Sequence, residues 1–222
     1  MRLSAPRLAA AVLIMLAGIW AGARVYSTRN VVRSSGRASP AVADAGEDAV
    51  PAPKIPDRLP VFSLMDIKGR DTPISAWSGK SLVINFWATW CAPCRHEIPL
   101  LQALNVEWAG RGVEVVGIAV DRREKVLEFA GELKIAYPLL IGEQDALDAA
   151  AAFGMASPVF PFTVFTDRRG EVVALFVGEL HKPEADLILS TVQSLNHDQV
   201  RLPEARRNIE KGLHQMGDRQ PG

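Results

Sequence analysis

Cys91 and Cys94 are the only two cysteines in the 222-residue chain. Two thiols can make one disulfide or one dithiol, but not a disulfide scaffold or a four-thiolate zinc site. Both lie in the run Phe86-Trp87-Ala88-Thr89-Trp90-Cys91-Ala92-Pro93-Cys94-Arg95-His96-Glu97. An apolar strand ends at Trp87, and a helix begins near Cys91 or Pro93, proline being suited to a first helical turn. Cys91 then stands at a helix N-terminus, where unpaired backbone N–H groups and the helix dipole favour a thiolate. A free cysteine titrates near ~8.5, and such positions lower it by one to several units. Cys94 returns to the same side of the helix one turn deeper. The chemistry this spacing offers is exchange: Cys91 attacks a disulfide, a mixed disulfide forms, and Cys94 resolves it.

Other uses of the pair are weaker. A static disulfide across so short a loop gains little chain-entropy stabilisation. A metal site lacks partners, because the four histidines, His96, His181, His197 and His214, form no second pair at ligand spacing. Covalent haem needs histidine directly after the second cysteine, and Arg95 stands there.

The surrounding sequence supplies a scaffold. Hydrophobic residues are 48% and charged residues 23%, a globular composition with enough apolar material for a core. Lys+Arg 25 balances Asp+Glu 25, so a nucleic-acid binder, which usually carries a basic surplus, is disfavoured. A folded domain is expected over 57–196. Leu59 to Met65 and Thr72 to Ile74 read as an opening hairpin. Ser81 to Trp87 and Val113 to Val120 are apolar enough for strands covered on both faces. Helical patterns follow Cys91 to about Gly110, then Arg123 to Leu133, Asp145 to Phe153 and Lys182 to Leu195. Tyr137 to Ile141 is a short strand, and Phe162 to Thr166 with Glu171 to Val177 a closing hairpin. Strands alternating with helices before a hairpin predict an α/β fold with a sheet of mixed direction. Residues 197–222 read as a polar tail with a weak helix at Pro203 to Met216.

The N-terminal part, 1–37, has a different character. Arg2 and Arg7 precede the uncharged stretch Leu8 to Ala23, and Ala21-Gly22-Ala23 supplies a small-residue cleavage site. The stretch reads as a signal peptide or, extended by Trp20, Arg24 and Tyr26, a membrane anchor. Arg24, Arg29, Arg33 and Arg37 follow it, so the positive-inside count by itself does not favour export. Residues 38–56, rich in Ala, Pro and Asp/Glu, read as a linker.

The segment Trp90-Cys91-Ala92-Pro93-Cys94 after a Phe86-Trp87 strand end resembles the thioredoxin superfamily. The longer run to Pro99 resembles its membrane-tethered TlpA/ResA-like branch. Phe160-Pro161-Phe162-Thr163-Val164-Phe165-Thr166-Asp167 with Gly170 is similar to the family's cis-proline strand and turn, and 121–150 fits the branch's strand–helix insertion. The resemblance implies a four- or five-stranded sheet flanked by helices, with the dithiol at its edge. It implies that Pro161 is the cis-proline facing the cysteines, with Phe160 offering its backbone to an incoming peptide as an added strand. Trp90 would shield the disulfide and contact substrate, whereas Trp87 and Pro93 are structural neighbours. Glu97, one turn past Cys94, would assist proton transfer. The buried aspartate of cytosolic thioredoxins is replaced here by Asn85, which takes up no proton, so Glu97 becomes the leading candidate.

Ala92 and Pro93 add no cation or side-chain donor between the sulfurs. The expected potential is therefore reducing, nearer about −270 mV than about −120 mV. The resemblance implies an extracytoplasmic reductase with no cofactor beyond the Cys91–Cys94 disulfide. It implies a disulfide-bearing client of the cytochrome c or copper-site maturation type, and a membrane electron donor of the DsbD/CcdA kind. Two other functions share the fold. A peroxiredoxin-like peroxidase wants threonine three residues before its cysteine, where Ala88 stands, and a non-catalytic binding module would keep only the architecture.

Overall fold

The computed structural model describes residues 55–217. The expected N-terminal anchor, and the linker up to residue 54, lie outside the described residues.

The central strand is a nearly all-apolar run. Ser81–Trp87 (β3) is buried along its whole length. It pairs in parallel with Val113–Val120 (β4), and antiparallel with Phe162–Thr166 (β6). Leu139–Gly142 (β5) extends the parallel side beyond β4. Val172–Val177 (β7) closes the hairpin with β6. The opening hairpin, Ser63–Asp66 (β1) and Asp71–Pro73 (β2), joins the same sheet through an antiparallel β1–β5 pairing. The order is β2-β1-β5-β4-β3-β6-β7, seven strands of mixed direction. The four- or five-stranded sheet is enlarged because the hairpin and β5 add to one edge instead of standing apart.

Strand ends moved for backbone reasons. β1 begins at Ser63 rather than Leu59, since Pro60 has no N–H for a ladder and the Leu59 N–H is taken by the Gly170 carbonyl at 2.8 Å. β5 begins after Pro138, whose carbonyl accepts from the Gly117 N–H at 2.9 Å.

Alternation along the strands splits the core into two layers. Val83, Trp87, Val115, Ala119 and Phe165 face helices Ala92–Ala109 (α1), Arg123–Glu132 (α2) and Lys182–Asn196 (α4). Leu82, Ile84, Phe86, Ile118, Phe162 and Val164 face Gln144–Ala152 (α3). Residues after Asn196 are not a loose tail. Leu202–Gly217 forms a helix (α5) with Ala205 and Ile209, one turn apart, buried. The Arg206 guanidinium of α5 donates to the Val172 carbonyl at 2.6 Å, tying the helix to β7. The segment is polar because only one narrow stripe of it is buried.

Candidate active site

Ser81–Trp87 delivers the chain to the edge of the sheet, and α1 starts there. Cys91 is the N-cap of α1, in an extended backbone conformation, and its sulfur accepts from the Cys94 N–H at 3.3 Å. That is the capping role a serine or aspartate usually fills, and it directs an N–H and the helix dipole onto Cys91 Sγ. Cys91 and Cys94 are joined as a disulfide, with their Cα atoms 5.3 Å apart. Cys91 is 5% exposed and Cys94 fully buried, so an incoming partner meets the first sulfur. Pro93 lies in the first turn, and Pro99 lies inside the helix without ending it.

Beneath the disulfide is a polar cluster. Glu97 is 1% exposed. Its Oε1 accepts from Asn85 Nδ2 at 2.7 Å, and its Oε2 from the Leu180 N–H at 2.8 Å. Asn85 Nδ2 also donates to Thr163 Oγ1 at 3.0 Å. Burial pushes the Glu97 carboxyl up to about 7; the two hydrogen bonds oppose this, and the charge of Glu179 adds to it. Tyr137 reaches the same region: burial, and then the Glu97 charge, push its hydroxyl upward. Asn85 pairs across the sheet with Gly117. A Cβ on Gly117 would stand 3.0 Å from the Tyr137 ring and 3.1 Å from Trp87 Nε1, so this glycine makes room for both.

The outer surface is aromatic. Trp90 is 69% exposed, and its ring meets that of Phe160 edge-on with centroids 6.0 Å apart. It is not core. Trp87 is fully buried against Phe129, with centroids 5.5 Å apart. The Phe160–Pro161 peptide is cis, Pro161 is buried and Phe160 half-buried. The Pro161 carbonyl accepts from the Gly178 N–H at 2.9 Å. Thr89 donates its hydroxyl to Asp121 at the end of β4, fixing the loop that carries Trp90.

The structure joins Cys91 to Cys94, Asn85 to Glu97 and Trp90 to Phe160. Thr163, Tyr137, Gly117, Asp121, Glu179 and Leu180 were not singled out. Each reaches the site from a distant part of the chain; Thr163 lies in the cis-proline strand pattern, but nothing local marks its bond to Asn85. Among the described residues no group of three or more His, Cys, Asp or Glu side chains is arranged to hold a metal ion.

The chain is similar to known proteins. The AhpC/TSA family model matches residues 55–176. The thiol-disulfide oxidoreductase ResA of Geobacillus kaustophilus is 31% identical over 135 residues, covering 60% of this chain and 75% of that protein. The thioredoxin-like protein YneN of Bacillus subtilis is 32% identical over 133 residues, covering 58% and 75%. Among solved structures, a thioredoxin-family thiol:disulfide interchange protein of Chlorobium tepidum superposes with TM-score 0.56 at 30% identity, over 62% of this chain and 97% of that one. A secreted thiol-disulfide isomerase of Corynebacterium glutamicum gives 0.55 at 25% identity, over 63% and 85%.

Proposed function

The chain belongs to the AhpC/TSA family and is a thiol–disulfide oxidoreductase of thioredoxin-like fold, and from that premise we propose that it reduces protein disulfides outside the cytoplasm. The observation that carries the reading is the Cys91–Cys94 disulfide at the N-cap of α1, with the first sulfur nearer solvent and the second sealed.

In the reduced state the Cys91 thiolate, held by the Cys94 N–H and the helix N-terminus, attacks one sulfur of a client disulfide. The client S–S bond breaks, a Cys91–client bond forms, and the departing client thiolate takes a proton. Cys94 then loses its proton to Glu97 and attacks Cys91 Sγ. The mixed disulfide breaks, the second client thiol leaves, and the Cys91–Cys94 disulfide remains. Two electrons pass from the dithiol to the client. Glu97 suits the proton step because burial brings it to about 7, where it can both take and return a proton. Trp90, Phe160 and Pro161 form the platform on which the client lies, the Phe160 backbone pairing with an extended segment.

Ala92 and Pro93 leave the sulfurs without an added cation, which supports a reducing potential, nearer about −270 mV than about −120 mV. A glutathione-buffered titration returning a value above roughly −180 mV would overturn the direction. Re-reduction then requires a membrane thiol donor of the DsbD/CcdA kind. The apolar stretch 8–23 supports export and tethering. Fractionation of the full chain against a chain lacking residues 1–37 tests this, and recovery of both in the same soluble fraction would sink the tether. Clients of the cytochrome c or copper-site maturation type fit a tethered reductase. Trapping with Cys94→Ser names the client, because the stalled mixed disulfide survives. Insulin-disulfide reduction is expected for the native chain and is lost in Cys91→Ser. Turnover persisting in that variant would refute the assignment of the nucleophile.

The family also contains peroxide-reducing members. Here Ala88 stands three residues before Cys91, and the neighbouring Thr89 hydroxyl is held by Asp121. No hydroxyl is thereby offered to a peroxide at Cys91, and hydrogen-peroxide turnover is expected to be negligible.

A further inference from the structure

Gly178 has φ +104°, a conformation open to glycine and strained for other residues. It turns the chain leaving β7 so that two backbone groups reach the site: its own N–H bonds the Pro161 carbonyl, and the Leu180 N–H bonds Glu97 Oε2. Glu179 lies between these anchors. Its carboxylate comes within 3.6 Å of the Nδ1 of His96, the residue just before Glu97 on α1. His96 is largely exposed and Glu179 only partly so. The loop that grips the buried carboxylate through its backbone therefore carries a second carboxylate, which touches solvent through a histidine.

The other groups around Glu97 do not do this. Asn85 from β3 and Tyr137 from the segment entering β5 are uncharged. Arg95, on the same helix, lies over the Phe129 ring at 5.2 Å. Lys182, at the start of α4, is held by Asp186 and Glu107. His181, the exposed N-cap of α4, directly follows Leu180; the charged pair in contact beside Glu97 is Glu179 with His96.

We propose that the Glu179–His96 pair is a positioning device for Glu97, coupling the proton on the buried carboxyl to the protonation of a solvent-facing imidazole. The functional weight of this coupling rests on the reading of Glu97 as the proton-handling group. The sign follows from Coulomb's law. An ionised Glu179 disfavours a second anion at Glu97, so Glu97 keeps its proton to higher pH. A protonated His96 cancels that charge and weakens the hold.

The test is infrared titration of the protonated-carboxyl band in the full, disulfide-bonded chain, with the Glu97 band assigned by its loss in Glu97→Gln. Glu179→Gln is expected to move the midpoint to lower pH, a proton affinity about two- to fivefold weaker, the range for coupling between partly exposed charges. Glu179→Asp keeps the charge and most of the native midpoint. His96→Gln moves the midpoint upward, and does so less when Glu179→Gln is also present. A Glu179→Gln midpoint equal to the native one overturns the proposal. So does a Glu179→Asp midpoint displaced as far as that of Glu179→Gln, which marks packing rather than charge. The pH profile of Cys91 alkylation, measured on the reduced chain, separates the two readings. A moved midpoint with an unmoved Glu97→Gln alkylation profile removes Glu97 from the mechanism and leaves the coupling intact. A fixed midpoint removes the coupling and leaves the role of Glu97 intact.

Discussion

On the face of the sheet covered by α3, Phe86 stacks on Phe162 with centroids 4.4 Å apart and meets Phe153 edge-on at 5.8 Å, and Phe153 meets Phe62 at 6.1 Å. On the face covered by α1 and α4, the alternate residues of the same strands place Asn85, Trp87 and Thr163 against the helix that carries the disulfide and Glu97. That second face also holds polar atoms that are buried without a hydrogen-bond partner among the described residues: Asn85 Oδ1, Trp87 Nε1, Trp108 Nε1 and the Tyr137 hydroxyl. Each such group costs about 1–3 kcal/mol of desolvation. The α3 layer is hydrocarbon packed on hydrocarbon, and stabilises the fold. The α1 layer carries unpaired polar atoms and a buried carboxyl, Glu97, on the helix that bears the disulfide.

Substitutions on the two faces test this contrast. Phe153→Ala in the α3 layer should cost about 3–5 kcal/mol in denaturant unfolding, the usual range for a buried phenylalanine. Its dithiol potential should stay unchanged, and a shifted potential would show that the layers are coupled.

Glu97→Gln tests the other face. Burial raises the folded-state value from the ordinary 4.5 to about 7, so the folded protein binds the extra proton between those limits. The associated stability is fully present below about 4.5 and is lost as pH rises through about 7. The native protein should lose roughly 2–4 kcal/mol relative to Glu97→Gln across that window. Parallel stability–pH curves for the two proteins would contradict a raised carboxyl. The same substitution should shift the pH–alkylation curve of Cys91.

Tyr137→Phe deletes a buried hydroxyl that has no partner, and is expected to be neutral or to stabilise by up to about 1 kcal/mol. A clear destabilisation would mean that the hydroxyl has a partner not seen among the described residues. Trp90→Ala should change stability least, within about 0.5 kcal/mol, because the ring is mostly in solvent. Insulin reduction should nonetheless slow severalfold, and an unchanged rate would take Trp90 off the client platform.

Much of this was legible in the chain. The nearly all-apolar run Ser81–Trp87, the Cys91–Cys94 spacing and Pro93 in the first turn predicted a central strand feeding a dithiol at a helix start. The structure has all three. Glu97 was found because it is one helical turn from Cys94, a local relation. The hidden parts were long-range or one-sided. Helix α5 was underrated because Ala205 and Ile209 are a thin apolar stripe in a charged segment, and its docking to β7 rests on a guanidinium meeting a carbonyl. The seven-strand sheet was hidden because the β1–β5 pairing joins segments more than seventy residues apart.

The sequence by itself determined the pairing of Cys91 with Cys94 and the helix N-terminus at which Cys91 sits, since both depend on residues within a few positions of one another. Only the tertiary structure decided the environment of Glu97. Its burial, the Leu180 and Asn85 hydrogen bonds, the Tyr137 hydroxyl beside it and the Glu179–His96 contact come from four separate segments of chain. A proton affinity is set by everything packed around a group, and no local pattern records which segments will pack there.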